Sequence, residues 1–239
     1  MILLLSGEGP SDIGTCDNMT GFCDCSSFVP GPMAVFVDQL VEIVLGYSCL
    51  GIGCLRFVSE HQLKEIGSGL KQKRRLTLPG KKKQRETGYF EKNARALAVT
   101  AKQLMVELND EVVAVLFRDV DGTRSTKRGL YEAKRDSMMR GFEMEEYAKG
   151  IPMMPNPQSE AWLLCAVQES PYDNCDKLEN MSGNDNSPND LKTQLEKTIG
   201  EHVGAQELAE MALDGRIDVH RIDMPSMNWF KKRLSEALS

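Results

Sequence analysis

Residues 112–123 combine the pattern of a buried strand with a pair of acids, in the order Val112-Val113-Ala114-Val115-Leu116-Phe117-Arg118-Asp119-Val120-Asp121-Gly122-Thr123. The apolar run is typical of a strand covered on both faces, as in a parallel sheet. Because side chains alternate along a strand, Asp119 and Asp121 are expected on one side and Arg118 on the other. Ligands of open α/β sheets bind at the carboxyl ends of the strands, so the paired carboxylates indicate a cation site. Oxygen ligands of this kind suit Mg²⁺ or Mn²⁺.

A second acidic motif follows the first predicted strand. Residues 1–5 are apolar and lead into Gly7-Glu8-Gly9-Pro10-Ser11-Asp12. Pairing this strand with the one at 112–118 would collect four carboxylates at one sheet edge, those of Glu8, Asp12, Asp119 and Asp121. Such a group repels itself unless one or two divalent ions fill it. A pair of divalent ions favours cleavage of a phosphodiester, because it stabilises both the attacking and the leaving oxygen.

The remaining pattern predicts an α/β fold, with a mainly parallel, Rossmann-like sheet flanked by helices. Further strands are expected at 50–58 and, briefly, at 151–155, and residues 15–29 are expected to form an irregular connection. Helices are expected from about residue 32, and at 89–108, 128–149, 189–199, 205–213 and 226–238. The 239 residues contain no internal repeat, so we expect one domain with a core at 1–165 and a C-terminal helical part at 166–239.

Together these motifs resemble the TOPRIM domain, which topoisomerases, bacterial primases and the overcoming-lysogenisation-defect nucleases share. The resemblance depends on Glu8 in a Gly-Glu-Gly turn, Asp12 four residues later, and Asp119-Val120-Asp121 after an apolar strand. A later segment resembles one found in small stand-alone TOPRIM-like proteins of bacteria, some encoded beside ATPase genes in phage-defence clusters: Pro157-Gln158-Ser159-Glu160-Ala161-Trp162-Leu163-Leu164. The resemblance covers about residues 1–165.

The resemblance implies a Mg²⁺- or Mn²⁺-dependent endonuclease acting on DNA or RNA. It makes Glu8 the general acid/base or a metal ligand, Asp119 and Asp121 catalytic metal ligands, and Asp12 an aid to a second ion. Glu160 is a further acidic candidate for the metal site. The nuclease branch usually adds a late lysine, for which Lys231 or Lys232 is available. It also implies an ATPase partner and a role in antiviral defence.

One short segment is strongly basic although the chain as a whole carries a formal net charge of −6. Its cations are expected to contact the nucleic-acid backbone, so that binding weakens steeply with salt; a solvated loop is the alternative. They are Lys71, Lys73, Arg74, Arg75, Lys81, Lys82, Lys83 and Arg85.

Two other functions are compatible with parts of the pattern. Asp119-Val120-Asp121-Gly122-Thr123 resembles the nucleophile motif of haloacid-dehalogenase phosphatases, in which Asp119 would be phosphorylated and Asp121 would be the acid/base. That family normally begins with this strand, which here lies mid-chain. The other alternative is a non-catalytic TOPRIM-like subunit that docks onto a partner and has no use for the acids.

The composition also bears on the compartment. No apolar run approaches the length of a membrane span, and the apolar N-terminus lacks a basic leader. The seven cysteines are therefore expected to be reduced thiols in a cytoplasmic protein.

Overall fold

A computed structural model of the protein describes residues 1–18, 20–70, 87–120, 130–183, 190–200 and 203–239. Its strands in these ranges are β1 (Ile2–Gly7), β2 (Gly14–Cys16), β3 (Phe22–Asp24), β4 (Phe28–Pro30), β5 (Leu55–Ser59), β6 (Val112–Phe117) and β7 (Gly150–Met153). Its α-helices there are α1 (Pro32–Leu45), α2 (Cys49–Ile52), α3 (Glu60–Gly69), α4 (Gly88–Leu108), α5 (Leu130–Met144), α6 (Ser159–Val167), α7 (Leu191–Ile199), α8 (Ala205–Leu213) and α9 (Pro225–Leu238).

The central sheet has the strand order β3-β5-β1-β6-β7, and all its pairs are parallel except β3 with β5. The two strands that carry the acidic motifs are neighbours, as expected, with Ile2 opposite Val112 and Gly7 opposite Phe117. On the other side of β1, Gly7 lies opposite Ser59. The strands β5, β1 and β6 therefore end level with one another, and the residues that follow them start from one edge.

Alternation along β1 and β6 builds a core on each face of the sheet. Leu3 and Val113 point to the face covered by α1 and the C-terminal helices α6 to α9. Leu4 and Ala114 point to the opposite face, covered by α4 and α5. Both strands are buried along their whole length, which explains their continuous apolar sequence. The α/β class with a mainly parallel sheet is thus confirmed.

The segment after the first acidic motif differs from the predicted irregular connection. β2 and β4 form a two-stranded antiparallel sheet, and β3 joins the edge of the main sheet beside β5. These three-residue strands depend on packing from elsewhere, such as the ring of Phe28 stacked 4.9 Å from that of Phe57. The strand predicted at 50–58 begins only at Leu55, because α2 occupies its first residues.

No helix in the described part of the chain is both long enough and apolar enough to cross a membrane.

The expectation of seven reduced cysteines was wrong for four of them. Cys16 is bonded to Cys23, and Cys165 to Cys175, whereas Cys25, Cys49 and Cys54 are thiols. The first bridge ties the small sheet to the edge of the main sheet, and the second ties α6 to the following short helix, Cys175–Asn180. The sequence could not show this, because pairing requires the cysteines of each pair to meet, here at Cα separations of 5.8 and 5.2 Å.

Reduction is therefore expected to destabilise the protein. Each bridge closes a short loop, and loss of that constraint on the unfolded chain costs about 2–3 kcal/mol per bridge in the chain-entropy model. Urea denaturation with and without a phosphine reductant measures the difference. Thiol titration of the denatured, unreduced protein should find three thiols. Finding seven would contradict the pairing.

Candidate active site

Charged residues follow the three level strand ends directly. Glu8 comes after β1, Glu60 after β5 and Arg118 after β6. Because Ser59, Gly7 and Phe117 lie side by side in the sheet, the next residue of each strand starts from the same edge. Register alone thus brings together residues that lie more than fifty positions apart in the sequence.

Arg118 binds the two carboxylates from the neighbouring strand ends. Its Nη1 donates to Glu8, and its Nη2 lies 2.7 Å from Oε1 of Glu60 and 2.7 Å from the hydroxyl of Tyr89. The Tyr89 hydroxyl also donates to Glu60, and the Tyr89 ring lies 4.6 Å from the guanidinium carbon. The side chain of Arg118 is only 2% exposed, compared with 36% for Glu8. We call Glu8, Glu60, Tyr89 and Arg118 the Arg118 cluster.

The charges of this cluster stabilise one another. Burial disfavours the charged form of Arg118, but the carboxylates of Glu8 and Glu60 outweigh it and raise the pKa of the guanidinium. Burial likewise raises the pKa of Glu60, but bonds from Tyr89 and Arg118 outweigh it and lower that pKa from 4.5 to about 2. Both groups are therefore charged at neutral pH.

A second group of acids meets at the start of α6. Asp119 accepts a hydrogen bond of 2.9 Å from the backbone N–H of Ser159. The Ser159 hydroxyl donates to Asp12 and lies 3.4 Å from Oε2 of Glu160. Ser159 itself is buried. We call Asp12, Asp119, Ser159 and Glu160 the Ser159 cluster.

Helix chemistry explains part of this arrangement. Asp119 caps the first turn of α6 from a distant segment, and carboxylates at a helix N-terminus are favoured by the helix dipole. Asp12 reaches the serine because residues 9–13 form a tight turn that begins at Gly9 with a φ of 78°. A Cβ at Gly9 would lie 2.4 Å from Oδ2 of Asp12, so this turn requires glycine.

The structure brings together four of the predicted site residues at one sheet edge, but in two groups. Glu8 lies in the Arg118 cluster, whereas Asp12, Asp119 and Glu160 lie in the Ser159 cluster. Asp121 and the basic segment at 71–86 fall outside the described residues. Lys231 donates to the carbonyls of His220 and Ile222 in the C-terminal helical layer, where burial lowers its pKa.

Sequence reasoning missed four residues at this edge: Glu60, Tyr89, Arg118 and Ser159. Arg118 had been expected to face away from Asp119 and Asp121 and was not counted as a site residue, but its guanidinium binds Glu8. A buried lysine was missed as well. Lys134 of α5 donates to the carbonyl of Val120 and so fixes the chain directly after Asp119.

The acids of the Ser159 cluster offer carboxylate oxygens, which are the ligands that hard divalent ions prefer. Their arrangement alone does not complete a metal site. Over the residues described, no three Asp, Glu, His or Cys side chains stand close enough together to hold a metal ion. A complete site would need a further ligand, and Asp121 is the sequence-predicted one.

Comparison of the chain with protein-family models, with curated proteins and with solved structures found no match.

The lowered pKa of Glu60 predicts an acid-sensitive fold. A group with a lower pKa in the folded than in the unfolded state stabilises the fold fully above the unfolded value, here about 4.5. That contribution is lost as the pH falls towards about 2, where the folded carboxylate is protonated. Urea denaturation of the wild type and Glu60→Gln at pH 6 and pH 3 should show the larger loss of stability in the wild type. Equal losses of stability in the two proteins would contradict the lowered pKa of Glu60.

Proposed function

We propose that this protein is a Mg²⁺- or Mn²⁺-dependent phosphodiesterase that cleaves DNA or RNA. One observation carries the proposal: acids from three distant segments, Asp12, Asp119 and Glu160, meet around the buried Ser159 at the carboxyl edge of a parallel sheet. This edge is where α/β proteins bind their ligands. The TOPRIM-like motifs support the same reaction, and they make Glu8, Asp119 and Asp121 its catalytic acids.

Asp12, Asp119, Glu160 and Asp121 would hold the metal. A bound divalent ion would polarise the phosphate and lower the pKa of a water nucleophile. The protein contributes hydrogen bonds that hold these acids in place. The Ser159 hydroxyl bonds to Asp12 from one side, its N–H bonds to Asp119 from the other, and Lys134 fixes the backbone that follows Asp119. Acids held in this way need no reorganisation when charge develops on the substrate.

Nucleic acid is the proposed substrate because the chain contains a compact basic segment at 71–85. In the sequence that segment leads into α4, whose first turn carries Tyr89 of the Arg118 cluster. We therefore place the phosphate backbone beside this edge of the sheet. An ATPase partner and a role in antiviral defence are further parts of the proposal, and they are supported by the motif resemblance.

A substrate panel tests the reaction. The purified protein is incubated with supercoiled plasmid, linear duplex DNA and tRNA, in Mg²⁺, in Mn²⁺ and in EDTA. We expect cleavage of at least one nucleic acid with metal and none in EDTA. Cleavage of para-nitrophenyl phosphate without cleavage of nucleic acid would indicate the phosphatase alternative, in which Asp119 is the nucleophile.

One observation favours a second candidate, a non-catalytic docking subunit. Glu8, Asp12 and Asp119 each accept a bond from another residue of the chain, so ion pairing and helix capping already give these acids a structural role. A docking subunit would cleave none of the substrates. Replacing Glu8, Asp12 or Asp119 by the corresponding amide would change the stability of such a subunit and no catalytic rate.

A further inference from the structure

The two tryptophans of the chain differ in their surroundings. Trp162 is fully buried in the core on the α1 face of the sheet, where its ring stacks on that of Phe230. Trp229 lies on α9, is partly exposed and belongs to neither core of the described chain. Among the described residues its indole N–H has no hydrogen-bond partner, and the atom is not buried. The ring of Trp229 is therefore available at the surface.

Trp229 forms one group with two residues of α5. The guanidinium carbon of Arg135 lies 5.0 Å from the centre of the Trp229 ring and 5.6 Å from the centre of the Tyr131 ring. Tyr131 and Arg135 are four residues apart and so share one face of α5. Attraction between the guanidinium and the π electrons stabilises this arrangement. We call Tyr131, Arg135 and Trp229 the aromatic platform.

The aromatic platform is built by elements that also contact the segments of the candidate site. Arg135 directly follows Lys134, which donates to the carbonyl of Val120 after β6. On α9, Trp229 lies one turn after Ser226, which accepts a bond of 2.8 Å from the tryptophan of α6. The acids of the Ser159 cluster meet at the start of this same helix α6. The aromatic platform therefore belongs to the β7 side of the edge that carries the acids.

The chemistry of the aromatic platform matches an unpaired nucleotide. Unpaired bases stack on aromatic rings and on the planes of arginine side chains, whereas in a duplex the faces of the bases are covered by neighbouring bases. Lys232 is exposed and lies three residues after Trp229, on the same side of α9. Its ammonium can contact the phosphate that adjoins a stacked base. A ring and a cation at this spacing thus suit the two parts of one nucleotide.

We propose that the aromatic platform binds an unpaired base of a single-stranded DNA or RNA, with Trp229 stacked on the base and Lys232 on the adjoining phosphate. This inference rests on the proposed function, since it assumes that the substrate is a nucleic acid. It deepens that function by assigning the form of the substrate, which is a strand with unpaired bases next to the acids. A duplex gains no stacking from the aromatic platform.

Binding measured in EDTA, where metal-dependent cleavage does not occur, tests the inference. Fluorescence anisotropy with labelled oligothymidylate and oligouridylate gives the affinities and distinguishes DNA from RNA. For at least one of the two, Trp229→Ala should weaken binding by about 5- to 150-fold, the cost of losing one stack between a base and an aromatic ring. Trp229→Phe keeps an aromatic ring and should bind within about threefold of the wild type.

Tryptophan fluorescence gives a second measurement on the same complexes. A base stacked on Trp229 should quench the emission of the wild type, and the quenching should be absent in Trp229→Phe because Trp162 is buried. If Trp229→Ala fails to fold, as judged by circular dichroism, the quenching of the wild type and its loss in Trp229→Phe decide.

Phe22→Ala is the matched control. Phe22 is an exposed aromatic residue on β3, whereas α9 lies beside β7 at the opposite side of the sheet, with Arg233 3.2 Å from the carbonyl of Gly150. Phe22→Ala should bind both oligonucleotides as the wild type does. A duplex of the same length should bind equally well to the wild type and to Trp229→Ala.

Several outcomes would overturn the inference. They are binding of the oligonucleotides without quenching, a folded Trp229→Ala with the affinity of the wild type, an equal loss in Phe22→Ala, an equal loss for single strand and duplex, or a wild type that binds the duplex alone. A wild type that binds neither single strands nor duplex would instead contradict nucleic acid as the substrate, and with it the proposed function.

Discussion

Asp119→Asn is expected to lose metal-dependent cleavage by a factor of about 10²–10³, the usual cost of removing one group that stabilises charge in a transition state. The substitution is well matched to the site. Asparagine accepts the N–H of Ser159 about as well as aspartate does, because the two residues are near-equal as helix caps. The bond from the Ser159 N–H is therefore retained, and the free energy of unfolding shows whether the variant stays folded. Initial rates on the best substrate of the panel, together with urea denaturation, measure both quantities.

A control acid is available at the end of α4, away from both clusters. Glu107 is exposed near the end of α4, two residues before the turn that leads into β6. Glu107→Gln removes the same charge from the chain without touching either cluster, so its cleavage rate should equal that of the wild type. Equal activity of Asp119→Asn and Glu107→Gln would contradict a catalytic role for Asp119.

The strands and most helices could be predicted because burial imposes a pattern on them. β1 and β6 are apolar throughout since helices cover both faces of the sheet. The helix at 205–213 has the predicted bounds. Another missed helix, α3, buries only Leu63 and Gly67, and so its apolar repeat is too short to predict a helix. The small strands at 14–30 are held by packing between distant segments, which no local pattern encodes.

The candidate site could be predicted only as far as each motif extends. Acids directly after apolar strands are visible in the sequence, and Glu8, Asp12 and Asp119 were found in this way. Glu60 and Arg118 become partners of Glu8 only through the register that sets Ser59 and Phe117 on either side of Gly7. Strand order is a property of the whole fold, and the contacts among Glu8, Glu60, Tyr89 and Arg118 join segments far apart in the sequence. Ser159 was quoted within a motif, but its part in joining the acids depends on where α6 begins.

The same geometry makes Arg118 a residue whose loss should strongly destabilise the fold. Arg118→Met leaves Glu8 and Glu60 facing each other without their shared cation. Removing one partner of a buried ion pair costs about 3–5 kcal/mol in the free energy of unfolding, and the loss here should lie at the lower end of that range because water partly screens the two carboxylates left behind. Urea denaturation at pH 7 measures the loss. Arg56→Met is the matched control: Arg56 is less buried and donates to the carbonyls of Gly53 and Leu55, so its loss should cost less than about 1.5 kcal/mol.

A double-mutant cycle separates the ion pair from simple packing. Glu60→Gln alone should cost about 1–2 kcal/mol, since the carboxylate is partly exposed and its bond to Arg118 is charge-assisted. The double variant Arg118→Met/Glu60→Gln should lose about 1–3 kcal/mol less than the sum of the two single losses. The reason is that the second substitution removes a charge that the first has left unpaired. Additive losses would mean that Arg118 contributes through its buried stem alone. In that case the guanidinium would not stabilise the fold through its ion pair with Glu60.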